Sequence, residues 1–177
     1  TSTNDMVLVL ANGQSEATEI IEGSKEYQTF KDMLQLVCQT LAKKIAQDGE
    51  GATKLIEVNV DTAINSTDAR MMAKEVVGSS LVKTAIFGED PNWGRIICAM
   101  GYSGVDLDED TLTIAIGKNI VFGEGKPQQF DKKSMKQALS KDTVVIDISL
   151  NQGSEEGTAW GCDLSYDYVK INALYST

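Results

Sequence analysis

Tyr27, Phe30, Leu34, Val37, Leu41 and Ile45 fall at helical spacing over about six turns. Ser24 stands where a helix N-cap belongs, the pattern ends near Gln47, and Asp48-Gly49-Glu50-Gly51 closes it in a tight turn. An amphipathic helix of this length must bury its apolar stripe against another layer. The next segment has the matching pattern. In residues 54–63, Ile56, Val58 and Val60 alternate with Glu57, Asn59 and Asp61, which predicts a strand with one face buried. Ser66 or Thr67 then caps a helix over residues 68–77, with Ala69, Met72, Ala73, Val76 and Val77 on its apolar face. Ahead of the long helix, Met6-Val7-Leu8-Val9-Leu10 is a continuous apolar run ending at Asn12-Gly13. It reads as a strand buried on both faces, which requires neighbours on each side. The order strand, helix, strand, helix predicts α/β layers around one sheet.

Residues 81–104 form the most distinctive stretch. An apolar run, Leu81-Val82 and Ala85-Ile86-Phe87, breaks at Gly88. Asp90 and Pro91 then sit where an N-cap and a first helical residue belong, ahead of Ile96, Ile97, Ala99 and Met100. Helix N–H groups and the Arg95 guanidinium can converge on an anion there. The simpler reading has Trp93 and Arg95 wedging two layers together, and on the residues alone it is preferred. Beyond it the chain turns strand-rich. Residues 111–116 and 120–122 flank a Gly117-Lys118-Asn119 turn as a hairpin, and residues 131–139 form a short amphipathic helix. Residues 143–150 make a strand, with residues 158–164 as its expected hairpin partner. A tyrosine-bearing tail, residues 165–177, is expected to dock through its aromatic rings. The composition shift near residues 101–110 divides the chain into an α/β portion, 1–104, and a strand-rich portion, 105–177.

Composition limits the chemistry. Hydrophobic residues at 42% and charged residues at 24%, with two prolines, describe a globular chain and not a disordered one. Sixteen basic against 26 acidic residues give a formal charge of −10, which speaks against nucleic acid or an anionic membrane as partner. No signal-peptide pattern or transmembrane-length apolar run is present, so a cytoplasmic setting is expected. Cys38, Cys98 and Cys162 are odd in number and scattered, as in reduced thiols. The chain contains no histidine. A Ser-His-Asp triad, a Cys-His pair or a His-ligated metal is therefore excluded within it.

The segments STNDMVLVLANG, SLVKTAIFGEDPNWGRIICAMGYSG and GCDLSYDYVKINALYST, in this order and across the whole chain, resemble the ornithine acetyltransferases of arginine biosynthesis, also called bifunctional glutamate N-acetyltransferases. The resemblance implies an Ntn-hydrolase-like architecture of layered sheets and helices, of the DmpA/ornithine acetyltransferase type. It also implies a precursor that cuts itself into α and β chains. The new β-chain N-terminal threonine takes the acetyl group of N-acetylornithine, releasing ornithine, and glutamate then accepts it. Bifunctional members also draw on acetyl-CoA. An α-amine serving as general base to its own hydroxyl removes the need for histidine, and no metal or redox cofactor is implied. The α chain supplies the oxyanion hole, and an α2β2 heterotetramer is the implied assembly.

Here the chain departs from the family pattern. The family nucleophile lies in an Ala-Thr-Met-Leu context ahead of Ser-Thr-Asn-Asp, whereas this chain begins immediately before Ser2-Thr3-Asn4-Asp5. It therefore reads as the C-terminal part of a β chain with no catalytic residue of its own, Thr1 being the alternative nucleophile. Ala52-Thr53-Lys54-Leu55 also imitates the nucleophile context, but the pattern places it in a strand. By resemblance, three positions contact substrate: Glu50, whose carboxylate can pair with an ornithine ammonium, Asn172 and the terminal Thr177. Read without the resemblance, Glu50 is ordinary loop charge or a carboxylate presented at a sheet end by its two flanking glycines. Two rival readings are a related amide hydrolase or aminopeptidase, which would release acetate without an acceptor, and a non-catalytic scaffold chain.

Overall fold

The computed structural model describes residues 6–174. Its centre is β1 (Leu55–Ala63), the strand expected from alternation, with Ile56, Val58 and Val60 buried on one face. It runs parallel to β5 (Thr143–Ser149), pairing Val58 with Ile146, and antiparallel to β6 (Glu155–Cys162), pairing Val58 with Ala159. β2 (Thr113–Ile116), β3 (Asn119–Gly123) and the two-residue β4 (Lys126–Pro127) extend the sheet antiparallel beyond β5, giving the order β4-β3-β2-β5-β1-β6. The predicted hairpin of residues 111–122 is thus β2 and β3.

The expected hairpin between the last two strands does not form, because β1 lies between β5 and β6. The connecting loop instead crosses the end of β1. Leu150 N donates to Asp61 O (3.1 Å), Gln152 N and Gly153 N donate to Thr62 O (2.9 and 2.8 Å), and Asn151 N donates to the Thr62 hydroxyl (2.7 Å). A parallel β1–β5 pair requires a long crossover, here every element from α2 to α5.

Helices cover the buried face. α2 (Ser66–Gly78) buries the five apolar residues its periodicity names, but its N-cap is Asn65, one residue ahead of the expected cap, with Oδ1 accepting from Asp68 N at 2.9 Å. At Gly157 a Cβ would meet Arg70 N at 2.5 Å, so a glycine in β6 lets α2 lie directly on the strand. The apolar run after Ser79 is α3 (Ser80–Phe87), and α4 (Trp93–Gly101) follows. Asp90 and Pro91 precede that helix without capping it. Asn92 is the N-cap, accepting from Arg95 N at 3.1 Å, while Asp90 accepts from the Asn92 amide at 2.9 Å. Trp93 stacks on Phe122 with ring centroids 5.2 Å apart, joining α4 to β3. α5 (Lys132–Leu139) is capped by Asp131 and is the short amphipathic helix expected there.

Two expectations fail on burial. Residues 6–10 form no strand, and their side chains are 58–84% exposed. A continuous apolar run carries no direction, and no strand of the described residues pairs with it. α1 (Lys25–Gln47) forms as expected, with Ser24 accepting from Tyr27 N at 3.1 Å, yet it buries no residue. Its main contacts within the chain are with β6 and β1. Across that contact Glu57 accepts from the Lys43 ammonium (2.8 Å) and the Trp160 indole N–H (2.6 Å), and the ammonium sits 5.1 Å from the indole centroid.

Burial alone would raise the Glu57 pKa, but the Lys43 and Trp160 contacts outweigh it and hold the carboxyl below the ordinary glutamate value. A lowered folded-state pKa contributes stability that is complete above the unfolded value and is lost as pH falls through the folded one. Acidification below about pH 4 is therefore expected to lower the thermal midpoint, and Glu57→Gln to make that acid limb shallower. Equal acid limbs in the two proteins would show that this cluster does not hold α1.

Candidate functional site

The turn after α1 and the start of the last helix meet at the N-terminal end of β1. Asp48 closes α1 by donating its N–H to Lys44 O at 2.9 Å, and Ala52 N donates to Gly49 O at 2.9 Å, so residues 48–52 fold back tightly. Gly51 has φ +66°, and a Cβ there would stand 2.5 Å from Tyr168 N. Both facts demand glycine.

On the other side of this contact lies the stretch Asp163–Ser165, followed by α6 (Tyr166–Leu174). Asp163 is 2% exposed. Its Oδ1 accepts from Thr53 N (2.8 Å) and Lys54 N (3.0 Å), and its Oδ2 accepts from the Thr53 hydroxyl. A buried carboxylate is tolerable only with such a set of donors. Ser165, 5% exposed, donates its hydroxyl to Gly51 O and accepts from Tyr168 N at 3.3 Å, capping the first turn of α6. Nearby, Phe87 and Tyr166 make an edge contact at 5.5 Å, and the buried Lys83 reaches Cys162 Sγ at 3.8 Å.

Two of the residues singled out from the sequence meet at this junction. Asn172 Nδ2 donates to Glu50 Oε2 at 2.8 Å, across 122 positions of chain, and also to Tyr168 O at 3.0 Å. Both side chains are exposed. Thr1 and Thr177 lie outside the described residues. Thr53 precedes β1 instead of lying in it, and its hydroxyl is committed to Asp163. Arg95 donates to Leu81 O (3.0 Å) and the Thr84 hydroxyl (3.3 Å), so it ties α4 to α3 as the wedge reading has it. A cleft of 690 Å³ on the flank of the same turn is lined by Lys44, Ile45, Asp48, Ala52, Thr53 and Lys54 among others, but by neither Glu50 nor Asn172.

Of the tail's rings, Tyr166 is 77% exposed yet meets the edge of Phe87, and although α6 buries no residue, Ser165 and the close approach to Gly51 also anchor the helix. Sequence reasoning misses Asp163 and Ser165. A serine one residue ahead of a helix start carries a capping signal, but nothing local marks Asp163, whose donors lie about 110 residues away. Among the described residues, no helix is long and apolar enough to cross a membrane.

The ArgJ family model matches residues 1–177. The chain is 60% identical over 177 residues to the arginine biosynthesis bifunctional protein ArgJ of Streptococcus thermophilus, covering all of this chain and 45% of that protein. It is 55% identical to the protein of the same name from Bacillus cereus, covering 43% of it. The crystal structure of arginine biosynthesis bifunctional protein ArgJ from Bacillus halodurans superposes with a TM-score of 0.91 at 51% identity, over 99% of this chain and 83% of that one. The chain thus spans less than half the length of these curated relatives, and its fold is of the Ntn-hydrolase-like type expected.

Gly51→Ala is expected to destabilise the protein by about 1–3 kcal/mol, from the left-handed backbone and the clash with α6. Urea unfolding checks this. A change within about 0.5 kcal/mol would mean that the turn and α6 are not in contact.

Proposed function

The chain belongs to the ArgJ family, and from that premise we propose that it is the substrate-holding part of an acetyltransferase of arginine biosynthesis. The enzyme moves an acetyl group from N-acetylornithine to glutamate through a threonine acetyl-enzyme. The observation that supports this most is the Glu50–Asn172 pair, a carboxylate and an amide 122 positions apart in the chain and brought within 2.8 Å. The carboxylate offers a charge-assisted acceptor to an amino-acid ammonium, and the amide offers a donor and an acceptor to an α-carboxylate or an acetamido group. Both donor and acceptor substrates are amino acids, so one such pair can serve both half-reactions. Thr177 completes the set as a further hydroxyl contact.

The nucleophile belongs to a segment outside this chain, with Thr1 as the alternative within it. An N-terminal amine beside a threonine hydroxyl is base enough for acyl transfer, so the reaction needs no histidine, metal or redox cofactor. The α chain of the same precursor is the proposed partner, in an α2β2 assembly in the cytoplasm. Phe30, Met33, Leu36 and Val37 on α1 are each more than half exposed, an apolar surface suited to such a partner. Acetyl-CoA is proposed as a second acetyl donor.

Removing a hydrogen bond to a charged group costs about 1.5–3 kcal/mol, or roughly 10- to 150-fold. Glu50→Ala in the complete enzyme is therefore expected to lower kcat/KM for N-acetylornithine by about that factor while leaving the unfolding midpoint unchanged. Normal turnover by the variant would end the assignment of Glu50. Intact-mass measurement after brief exposure to N-acetylornithine is expected to find an acetyl adduct on a companion fragment beginning with threonine. An adduct on Thr1 would relocate the nucleophile, and acetate release without glutamate would indicate a hydrolase.

A further inference from the structure

We infer that Ser165, seated beside the buried Asp163, is a positioning residue for substrate binding, setting the distance between Glu50 and Asn172. The inference rests on the proposed role of those two residues. It starts from how α6 is fixed. The helix buries no residue, and toward its far end Asn172 links it to the Glu50 turn. Its N-terminus, by contrast, is held on three sides. Asp163 binds Thr53 and Lys54 just past the turn, the Ser165 hydroxyl binds Gly51 O, and the α6 backbone presses on Gly51 where any side chain would collide with Tyr168 N.

Geometry makes that anchor a lever. Asn172 lies six residues beyond Tyr166, about 9 Å along the helix axis. A tilt of about 10° at the anchored end would move the Asn172 amide by roughly 1.5 Å, enough to break a 2.8 Å hydrogen bond to Glu50. Misplacement of about 1 Å in a binding constellation costs on the order of a hundredfold when the geometry is demanding. Ser165 is the group that couples the two elements directly, because one hydroxyl both donates to the carbonyl of the turn and accepts from the amide of the helix. Asp163 fixes the chain immediately before it and the residues immediately after the turn, so neither side can shift to compensate.

A serine that merely stabilised the fold would act independently of Asn172, whereas a positioning serine acts through it. The test is a double-mutant cycle in the complete enzyme, read as KM and kcat for N-acetylornithine. Ser165→Ala is expected to raise KM about tenfold with kcat within about threefold of the parent, and Ser165→Thr, which keeps the hydroxyl, to return KM to within about threefold. In an Asn172→Ala background, Ser165→Ala is expected to change KM by less than about twofold. Equal tenfold effects in both backgrounds, or a parental KM for Ser165→Ala, would overturn the inference and leave the role of Glu50 intact. A parental KM for Glu50→Ala alone would instead overturn the substrate-binding reading on which it stands. Circular dichroism on each variant keeps loss of folding apart from loss of binding, and Ser165→Thr supplies the folded control.

Discussion

A single buried carboxylate joins two distant parts of this chain. Asp163 takes two backbone N–H groups and one hydroxyl from Thr53 and Lys54, which stand at the entrance to the central strand. Unpaired, a carboxylate 2% exposed would cost several kcal/mol. Fully paired, it fixes the exit of the last strand to the entrance of the first. The rest follows from that junction. β6 can leave β1 in only one direction, Ser165 arrives beneath Gly51, and α6 departs with Asn172 facing Glu50. The sheet itself is ordinary, built from alternating buried residues. What is particular to this chain is that the turn after its first helix and the start of its last helix share one anchor.

How much of this is legible in the sequence depends on how local the controlling interaction is. α1, α2 and α5 follow from apolar spacing, and Ser24 is recognisable as a cap because an N-cap bond spans only three residues. Asp90 reads as the cap on sequence because Pro91 follows it where a first helical residue belongs, whereas the cap is Asn92, just past that proline. β1 and β5 are recognisable by alternation, but their neighbours are not, because side-chain period tells a strand's faces and says nothing of its partners. The placement of β1 between β5 and β6 is decided by the loop clasping Thr62, a contact across about 90 residues. Residues 6–10 mislead for a related reason. An apolar run shows that burial is wanted, without showing what provides it.

The same limit separates the two parts of the candidate site. Glu50 stands out in sequence because two glycines frame it, and its link to Asn172 is carried by family resemblance, not by periodicity. Asp163 is silent in sequence, and Ser165 carries no more than a capping signal. Asp163 sits in a run that reads simply as the end of a strand, and the donors to Asp163 and the Gly51 carbonyl that Ser165 meets lie more than 100 positions away. Buried polar groups of this kind become visible only when the fold shows what they touch.

The missing histidine, the exposed apolar side of α1 and the exposed pair Glu50–Asn172 bear on one another. Without histidine the chain offers no imidazole to activate a hydroxyl, and a nucleophile that brings its own base, such as a chain-terminal threonine, fits the proposed acyl transfer. Under the proposed function, an outward-facing carboxylate and amide would hold the amino-acid part of a substrate. The acetyl group would then meet its nucleophile and oxyanion donors on a surface that faces Glu50 and Asn172. An α1 helix that is amphipathic yet uncovered over most of its length is what a chain presents when its layer is completed from outside. Substrate grip on one polypeptide and acyl chemistry on another would place the reacting bond at their interface, and the rigidity of the Asp163 junction then sets how accurately the substrate is offered across it.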